Sequence, residues 1–372
     1  MLNKIPYINL IKQSREEKKE IFKALNKLFL KSEFVSGDEV EIFEKNIRNF
    51  LKIKYCVALN SGTDALTLGL HLLGVRKGDE VITPPNSFVA STASIVHLGA
   101  IPVFCDVYRD QNIDPKQIIK KITKKTKAIM PVHLSGRACE MDEIMNISKK
   151  YKIPIIEDAA QAIGTKYKNK FVGSFGKIGC FSAHPLKNLN AIGDGGYLVT
   201  DDKTIANKVK SLRNHGIVDR NKISTFGHVS RMDNIQAAVL NLRIKKLKNV
   251  IKKRRINANL YIENLKNLKN IILPYEKITE FNTYHTFVIL AEGRDRLKSY
   301  LQKKGINTAI HYPHLIFDQK AYKRKFKSPK KNEFKVAREI SKKILTLPIN
   351  QYLSIREIKK ISNEIKNFYQ ND

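Results

Sequence analysis

The sequence predicts an α/β fold: a large domain built on a mostly parallel sheet, residues 1–245, followed by a smaller α+β C-terminal domain, residues 246–372. Two observations predict it. Apolar runs of strand length recur at residues 55–59, 80–84, 101–106, 127–132 and 153–157, with helix-like segments between them. That alternation gives a parallel sheet covered on both faces. A long periodic segment then begins near residue 235, composition turns more basic around Val250, and a second, shorter series of strand and helix patterns follows.

Taken in order, residues 17–30 and 38–51 are amphipathic and predict two helices. Val35-Ser36-Gly37 separates them, so Ser36 or Asp38 is the expected cap of the second. The run Tyr55-Cys56-Val57-Ala58-Leu59 predicts a buried strand that leads into Asn60-Ser61-Gly62-Thr63-Asp64-Ala65-Leu66. Glycine and hydroxyls at a strand-to-helix junction bring free N–H groups and a helix N-terminus to one point, which suits a phosphate. The string matches neither a P-loop nor a dinucleotide fingerprint, and read in isolation it is more often only a helix cap. Residues 80–84 form the next strand, stopped by Pro84, and residues 86–92 open another helix. Phe88 falls at that strand's C-terminal end, where ligands bind in open α/β sheets; packing in the core is the competing reading.

The strand at residues 153–157 ends on Asp158, with Gln161 three residues on. A carboxylate so placed needs a cationic or hydrogen-bonding partner to offset its burial, and a protonated pyridine nitrogen is one such partner. Further along, Lys187 stands between the apolar residues 178–181 and the turn Gly193-Asp194-Gly195-Gly196, which runs into Tyr197-Leu198-Val199. Burial disfavours the ammonium form, lowers the pKa and leaves an amine able to attack a carbonyl. In a chain this rich in lysine a surface residue is the bland alternative. The later elements are a helix from residue 235, a strand at 284–290, a helix at 294–303 and a last helix at 357–367.

With 68 basic and 35 acidic residues the chain carries a formal charge of +33, which taken alone suggests a polyanion partner. The basic residues are mostly lysines spread along the chain, and no zinc finger, RNP-like segment or basic heptad region accompanies them, so no nucleic acid is expected. Cys56, Cys105, Cys139 and Cys180 are far apart with no Cys-x-x-Cys spacing, which indicates neither a disulfide framework nor zinc. His311 and His314 flank Pro313 without a carboxylate cluster, and no metal is expected there. No long apolar stretch suggests a membrane span, so a cytoplasmic protein is the expectation.

Ser61-Gly62-Thr63, Phe88, Asp158, Gln161 and Lys187 are together the parts that a pyridoxal phosphate site requires. From about residue 34 to 238 the chain also resembles the DegT/DnrJ/EryC1/StrS family of sugar-nucleotide aminotransferases. The matching strings are Ser61-Gly62-Thr63-Asp64-Ala65-Leu66, Glu157-Asp158-Ala159-Ala160-Gln161-Ala162, and Phe181-Ser182-Ala183-His184-Pro185-Leu186-Lys187 followed by the Gly-Asp-Gly-Gly turn. Gly305-Ile306-Asn307-Thr308 and His311-Tyr312-Pro313 resemble the family's substrate-side segment.

The resemblance implies the fold type I architecture of pyridoxal-phosphate-dependent transferases and a homodimer with shared active sites. It implies Lys187 as the covalent anchor of pyridoxal 5'-phosphate, Asp158 as the pyridinium partner and Gln161 as a contact to the ring hydroxyl. Phe88 would stack on the ring, Gly62, Thr63 and Ser182 would hold the phosphate, and His311 and Tyr312 would lie toward the substrate. The implied reaction moves an amino group, from glutamate as the expected amino-acid donor, to a nucleotide-linked keto-deoxysugar. Lys187-Asn188-Leu189 with Asp194 leans toward amination at C3 over C4. One departure is Val229, which stands where the family has an asparagine reaching the partner subunit's cofactor phosphate. The other readings are an aminotransferase acting on a cyclitol ketone, and a non-catalytic regulator or polyanion-binding protein that keeps the fold.

Overall fold

The computed structural model describes residues 4–370. Seven strands form its central sheet: β1 (Tyr55–Leu59), β2 (Glu80–Thr83), β3 (Ile101–Phe104), β4 (Thr126–Ile129), β5 (Ile156–Asp158), β6 (Ile178–Ser182) and β7 (Gly196–Thr200). One ladder runs β1-β7-β6-β5 and another β3-β2-β4. Parallel bridges from Ile129 to Ile155 and from Val132 to Asp158 join the two, so the spatial order is β1-β7-β6-β5-β4-β2-β3. Neighbours pair in parallel except at β7, which is antiparallel to both β1 and β6.

The strands are apolar on both faces because helices cover both. The helices around the sheet include α1 (Leu10–Lys31), α2 (Asp38–Leu51), α3 (Gly62–Leu72), α4 (Val89–His97), α5 (Lys203–Leu212) and α6 (Asn234–Leu265), and those of residues Pro115–Lys121 and Met141–Tyr151 also pack on it. On one face Ala58, Ile82, Ile129, Phe181 and Tyr197 share a core with Phe43 and Ile47 of α2 and Leu240 of α6. Their strand neighbours Val57, Val81, Ala128, Cys180 and Leu198 point the other way, into a core with Leu66 of α3 and Val209 of α5. Phe181 and Tyr197 lie opposite each other on β6 and β7 with rings stacked at 4.9 Å, a cross-strand pair beneath the loop that carries Lys187.

The expected cap of α2 is different in the structure. Gly37 occupies the N-cap and makes no side-chain cap bond, while Ser36 has a left-handed φ of 56° and Asp38 is already helical. The Val40 N–H, which donates to the Gly37 carbonyl at 3.1 Å, is also met by Asn234 Oδ1 at 3.3 Å, a residue nearly two hundred positions away that no local pattern reveals. Acidic Asp38, Glu39 and Glu41 in the first turn add a favourable interaction with the helix dipole.

Beyond α6 the strands β8 (Ile271–Ile272), β9 (Phe287–Ala291) and β10 (Ile344–Leu347) form an antiparallel sheet in the order β8-β9-β10. The helices Arg294–Lys303 and Ile355–Gln370 accompany it, and their apolar faces, with Leu297 and Ile361, pack in a second core with Phe287 and Leu345. The 32-residue α6 belongs to both cores, through Leu240 and Leu247 at one end and through Ala258, Tyr261 and Leu265 at the other. The division expected between residues 245 and 246 falls inside this helix. Ile5, from the start of the chain, packs in the second core and donates its N–H to the Gly305 carbonyl at 2.8 Å. The strand expected at 284–290 begins only at Phe287, because Tyr284 turns the chain with φ 46°.

Candidate active site

The parallel strands end on one edge of the sheet, and the predicted residues collect there. After β6 ends at Ser182 the chain loops and returns as β7. Ala183 N–H donates to the Gly195 carbonyl at 2.8 Å and Ala191 N–H to the Ala183 carbonyl at 2.7 Å, closing the loop at its base. Within it Lys187 N–H donates to the His184 carbonyl at 2.8 Å, and the Asn190 amide donates to the Pro185 carbonyl at 2.7 Å. A short, tied loop therefore presents Lys187, whose side chain is half-buried. Desolvation pushes its amine down to about 8, against a smaller opposing pull from the Asp158 carboxylate.

Asp158 closes β5 with 4% of its surface exposed. Its Oδ2 accepts from Ser91 Oγ at 2.7 Å and its Oδ1 from the Ala160 N–H at 3.1 Å. Burial nevertheless raises its pKa, with these two bonds, Lys187 and His133 opposing. Beside it Gln161 is fixed by the Ser135 N–H, which donates to Oε1 at 2.8 Å, leaving the amide nitrogen to donate to the Tyr312 hydroxyl at 3.3 Å. Burial pushes the Tyr312 phenol up to about 12, so it stays protonated. His311, whose Nδ1 lies 3.0 Å from Thr346 Oγ1, is pushed down to about 4 by burial and is a neutral imidazole at pH 7. Phe88 is 54% exposed, which excludes the core-packing alternative, and its ring centroid lies 5.8 Å from that of Tyr312.

The turn after β1 makes a cradle. Ser61 caps α3 by accepting from Asp64 N–H at 3.1 Å, and the N–H groups of Gly62 and Thr63 open the helix with no carbonyl behind them to use. A Cβ on Gly62 would sit 2.9 Å from Ser182 Cβ, and one on Gly196 would sit 2.3 Å from Gly62 N. Both glycines are there because three chain segments meet at contact distance. The junction thereby gathers two free N–H donors, the Ser182 hydroxyl and a helix N-terminus, the complement of a phosphate.

These residues fit pyridoxal phosphate. Asp158 is a buried carboxylate in want of a cation, the Gly62–Ser182 contact is a cradle that any larger residue would fill, and Lys187 is an amine kept partly neutral. Ser91, Ser135 and the pair His133–Glu157 belong to the same constellation but were not among the residues picked from sequence. Ser91 is three positions beyond Phe88, a helical spacing that could have pointed to it; the others carry no such signal. Glu157 is fully buried and accepts from the N–H groups of Gly173, Phe175 and Gly176 at 2.6, 2.7 and 2.6 Å. His133 Nδ1 accepts from Cys139 N–H at 3.1 Å, and its Nε2 lies 3.0 Å from Glu157 Oε2, to which it donates. This network anchors the β5 end on which Asp158 sits. Among the described residues no three His, Cys, Asp or Glu side chains group as a metal set, and no helix is long and apolar enough to cross a membrane.

The lowered amine predicts a pH dependence. Only the neutral amine attacks a carbonyl, so covalent capture of pyridoxal phosphate by the free enzyme should accelerate about tenfold per pH unit and level off above about 8. Stopped-flow absorbance across pH 6.5 to 10, as an approximate working range, reads this directly. A midpoint in the ordinary lysine range would show that the amine is solvated.

The sequence model of the DegT/DnrJ/EryC1/StrS aminotransferase family matches residues 15–366. A pleiotropic regulatory protein of Geobacillus stearothermophilus is 35% identical over 98% of this chain and 99% of its own. The dTDP-3-amino-3,6-dideoxy-alpha-D-galactopyranose transaminase of Aneurinibacillus thermoaerophilus is 36% identical over 98% of this chain and 99% of its own. The crystal structure of DesV from S. venezuelae, in complex with a ketimine intermediate, superposes with a TM-score of 0.95 at 33% identity and covers 98% of each chain.

Proposed function

Because this chain belongs to the DegT/DnrJ/EryC1/StrS aminotransferase family and is a pyridoxal-phosphate-dependent sugar aminotransferase, we propose that it aminates C3 of a nucleotide-linked keto-deoxysugar, with glutamate as donor. The observation that carries the reading is the pairing of a depressed amine, Lys187, with a buried carboxylate, Asp158, at one sheet edge. A regulator or a polyanion-binding protein has no use for that pairing, even though one relative bears a regulatory name. Amination at C3 is favoured by the 3-amino product named for the Aneurinibacillus relative, and the excess of basic residues suits an acceptor carrying a diphosphate.

When bound, pyridoxal phosphate supplies an electron sink for the charge that develops at the donor's α-carbon. Lys187 Nζ takes the α-proton and delivers it, a transfer for which an amine near 8 is better matched than one in the usual lysine range. Asp158 would hold a proton on the ring nitrogen by Coulomb attraction, with Ser91 and the Ala160 N–H fixing its oxygens. Gln161, locked by Ser135 N–H, would orient the ring from its edge, and Phe88 would cover a face. The neutral His311 and Tyr312 would line the substrate side without adding charge.

We read the protein as a cytoplasmic homodimer of two-domain subunits hinged on α6. Exposed apolar residues support the partner: Phe22, Phe29 and Leu30 on α1, and Ile223 and Phe226 near the hairpin of residues 217–223. Val229 is 55% exposed beside this hairpin, whereas Ser230 is buried and donates to Asn60 Oδ1 at 3.2 Å within its own subunit. That intrasubunit bond favours exposed His228 over Ser230 as the donor that stands in for the missing asparagine. Purified enzyme with glutamate and a panel of dTDP- and UDP-linked 3-keto and 4-keto sugars tests the acceptor. Turnover confined to the 3-keto members is expected; turnover of only 4-keto members, or only of a cyclitol ketone, would overturn the C3 nucleotide-sugar assignment.

A further inference from the structure

Midway along α6 opens a cavity of about 440 Å³ that shares no residue with the cofactor site. Its volume is in the range of small-molecule pockets. The floor is apolar: Phe50 from the end of α2, Phe171 from the hairpin of residues 166–171, Ile251 of α6, and Phe281 from the short strand that pairs with that hairpin. The Phe50 and Phe171 rings lie 5.4 Å apart between centroids, and Phe281 is 37% exposed. The rim is basic. Lys248 and Lys252 stand on it from one face of α6, and Lys166 Nζ lies over the Phe171 and Phe281 rings at 4.8 and 5.8 Å. No aspartate or glutamate lines the cavity, and among the described residues none of these three lysines is in an ion pair. Arg255 differs, since Nη1 and Nη2 donate to Glu276 at 2.7 and 2.9 Å while the guanidinium covers Phe281 at 4.1 Å. Its charge is met, and it serves as a wall.

Three ammonium groups gathered without a carboxylate repel one another, and Lys248 and Lys252, four residues apart, are a like-charge pair that costs helix stability. An anion on the rim offsets that repulsion. Lysine ammonium groups are compact point charges suited to phosphate oxygens, and an aromatic floor suits a flat ring laid against it. We propose that this cavity binds an organic phosphate with a planar aromatic ring, of the nucleoside phosphate class. The phosphate lies among Lys166, Lys248 and Lys252, and the ring packs on Phe50 and Phe171. Both halves of the cavity require the one ligand. An inorganic anion leaves the phenylalanine floor in water, whereas a purely apolar molecule leaves the three cations without a partner. The site stands on its own residues and does not depend on the aminotransferase reading.

The test is lysine footprinting of the cofactor-loaded protein. It is acetylated to a trace extent alone and with dTDP, thymidine or inorganic pyrophosphate, and mass spectrometry reads each lysine. Because the readout is local, it separates this cavity from the active site, where the proposed acceptor brings a nucleotide too. The expected result is joint protection of Lys166, Lys248 and Lys252 by dTDP, at a concentration about tenfold or more below that needed with thymidine or pyrophosphate, each of which supplies half of the complement. The double variant Lys248→Gln/Lys252→Gln changes only exposed side chains, so it should keep its fold and the KM for the keto-sugar while dTDP no longer protects Lys166. Phe281→Ser leaves the lysines in place and should weaken dTDP but not pyrophosphate. Protection by pyrophosphate equal to that by dTDP would reduce the cavity to a patch of charge and overturn the proposal. Absence of protection by dTDP, or protection of Lys166 that persists in the double variant, overturns it as well. Lysines shielded before any nucleotide is added, and unshielded on dilution, would place a second copy of the chain over the cavity and likewise overturn it.

Discussion

Lys187→Ala is expected to abolish transamination. The substitution removes the covalent anchor and the proton carrier together, and general acid–base catalysis alone is worth about 10²–10⁴-fold. No neighbour restores both roles. His184, His285 and His311 all feel the Lys187 charge, but each is held below the usual imidazole range, chiefly by burial, and an imidazole forms no comparable covalent link to the cofactor carbonyl. The fold should survive, because Lys187 enters the loop's hydrogen bonds only through its backbone N–H. The measurement is turnover with glutamate, alongside the borohydride-reducible absorbance band of the loaded protein and its Tm. Loss of turnover and band at a near-parental Tm is the expected outcome. Parental activity would remove Lys187 from the chemistry.

The residues that gather at the candidate site could be picked from the sequence because they sit at the ends of apolar runs. A carboxylate such as Asp158, placed directly after a buried strand, has few innocent explanations, and Gly62 between two hydroxyl residues marks a helix start at a crowded junction. Strand direction was not legible. Nothing in Tyr197-Leu198-Val199 distinguishes β7, antiparallel to both neighbours, from the parallel strands, since apolar runs carry no orientation. Polar groups matched across long sequence distances were equally hidden. Asn234 capping α2, Ser91 holding Asp158 and Arg254 tying three carbonyls are set by tertiary proximity alone.

The same distinction separates the two halves of the candidate site. The cofactor side is written in contiguous strings, because one strand-to-loop junction supplies each group: Gly62 after β1, Asp158 after β5, Ser182 and Lys187 after β6. The crevice beside Lys187 is walled by residues of α6, the chain start and the segment after β10, which share no motif.

Asp158→Asn should retain the cofactor while lowering kcat by about a hundredfold or more, the usual loss on removing a preorganised electrostatic partner. The replacement is isosteric. Its carbonyl oxygen can still accept the Ala160 N–H, and Ser91 Oγ can rotate from donating to Oδ2 to accepting from the new amide nitrogen. What disappears is the charge that would keep the ring nitrogen protonated. Stability of the cofactor-free protein provides a second, independent reading. The Asp158 pKa is raised in the folded state, so the unfolded chain ionises first, and ionisation costs stability as pH rises above the unfolded value. Cofactor-free Asp158→Asn should therefore melt above the cofactor-free parent at neutral pH, with the gap closing as the medium is acidified below the ordinary aspartate range. Cofactor binding should reverse the order at neutral pH, because the parent carboxylate then gains its cation and the amide does not. A variant that turns over at the parental rate, with the same Tm response to cofactor, would make Asp158 a structural residue.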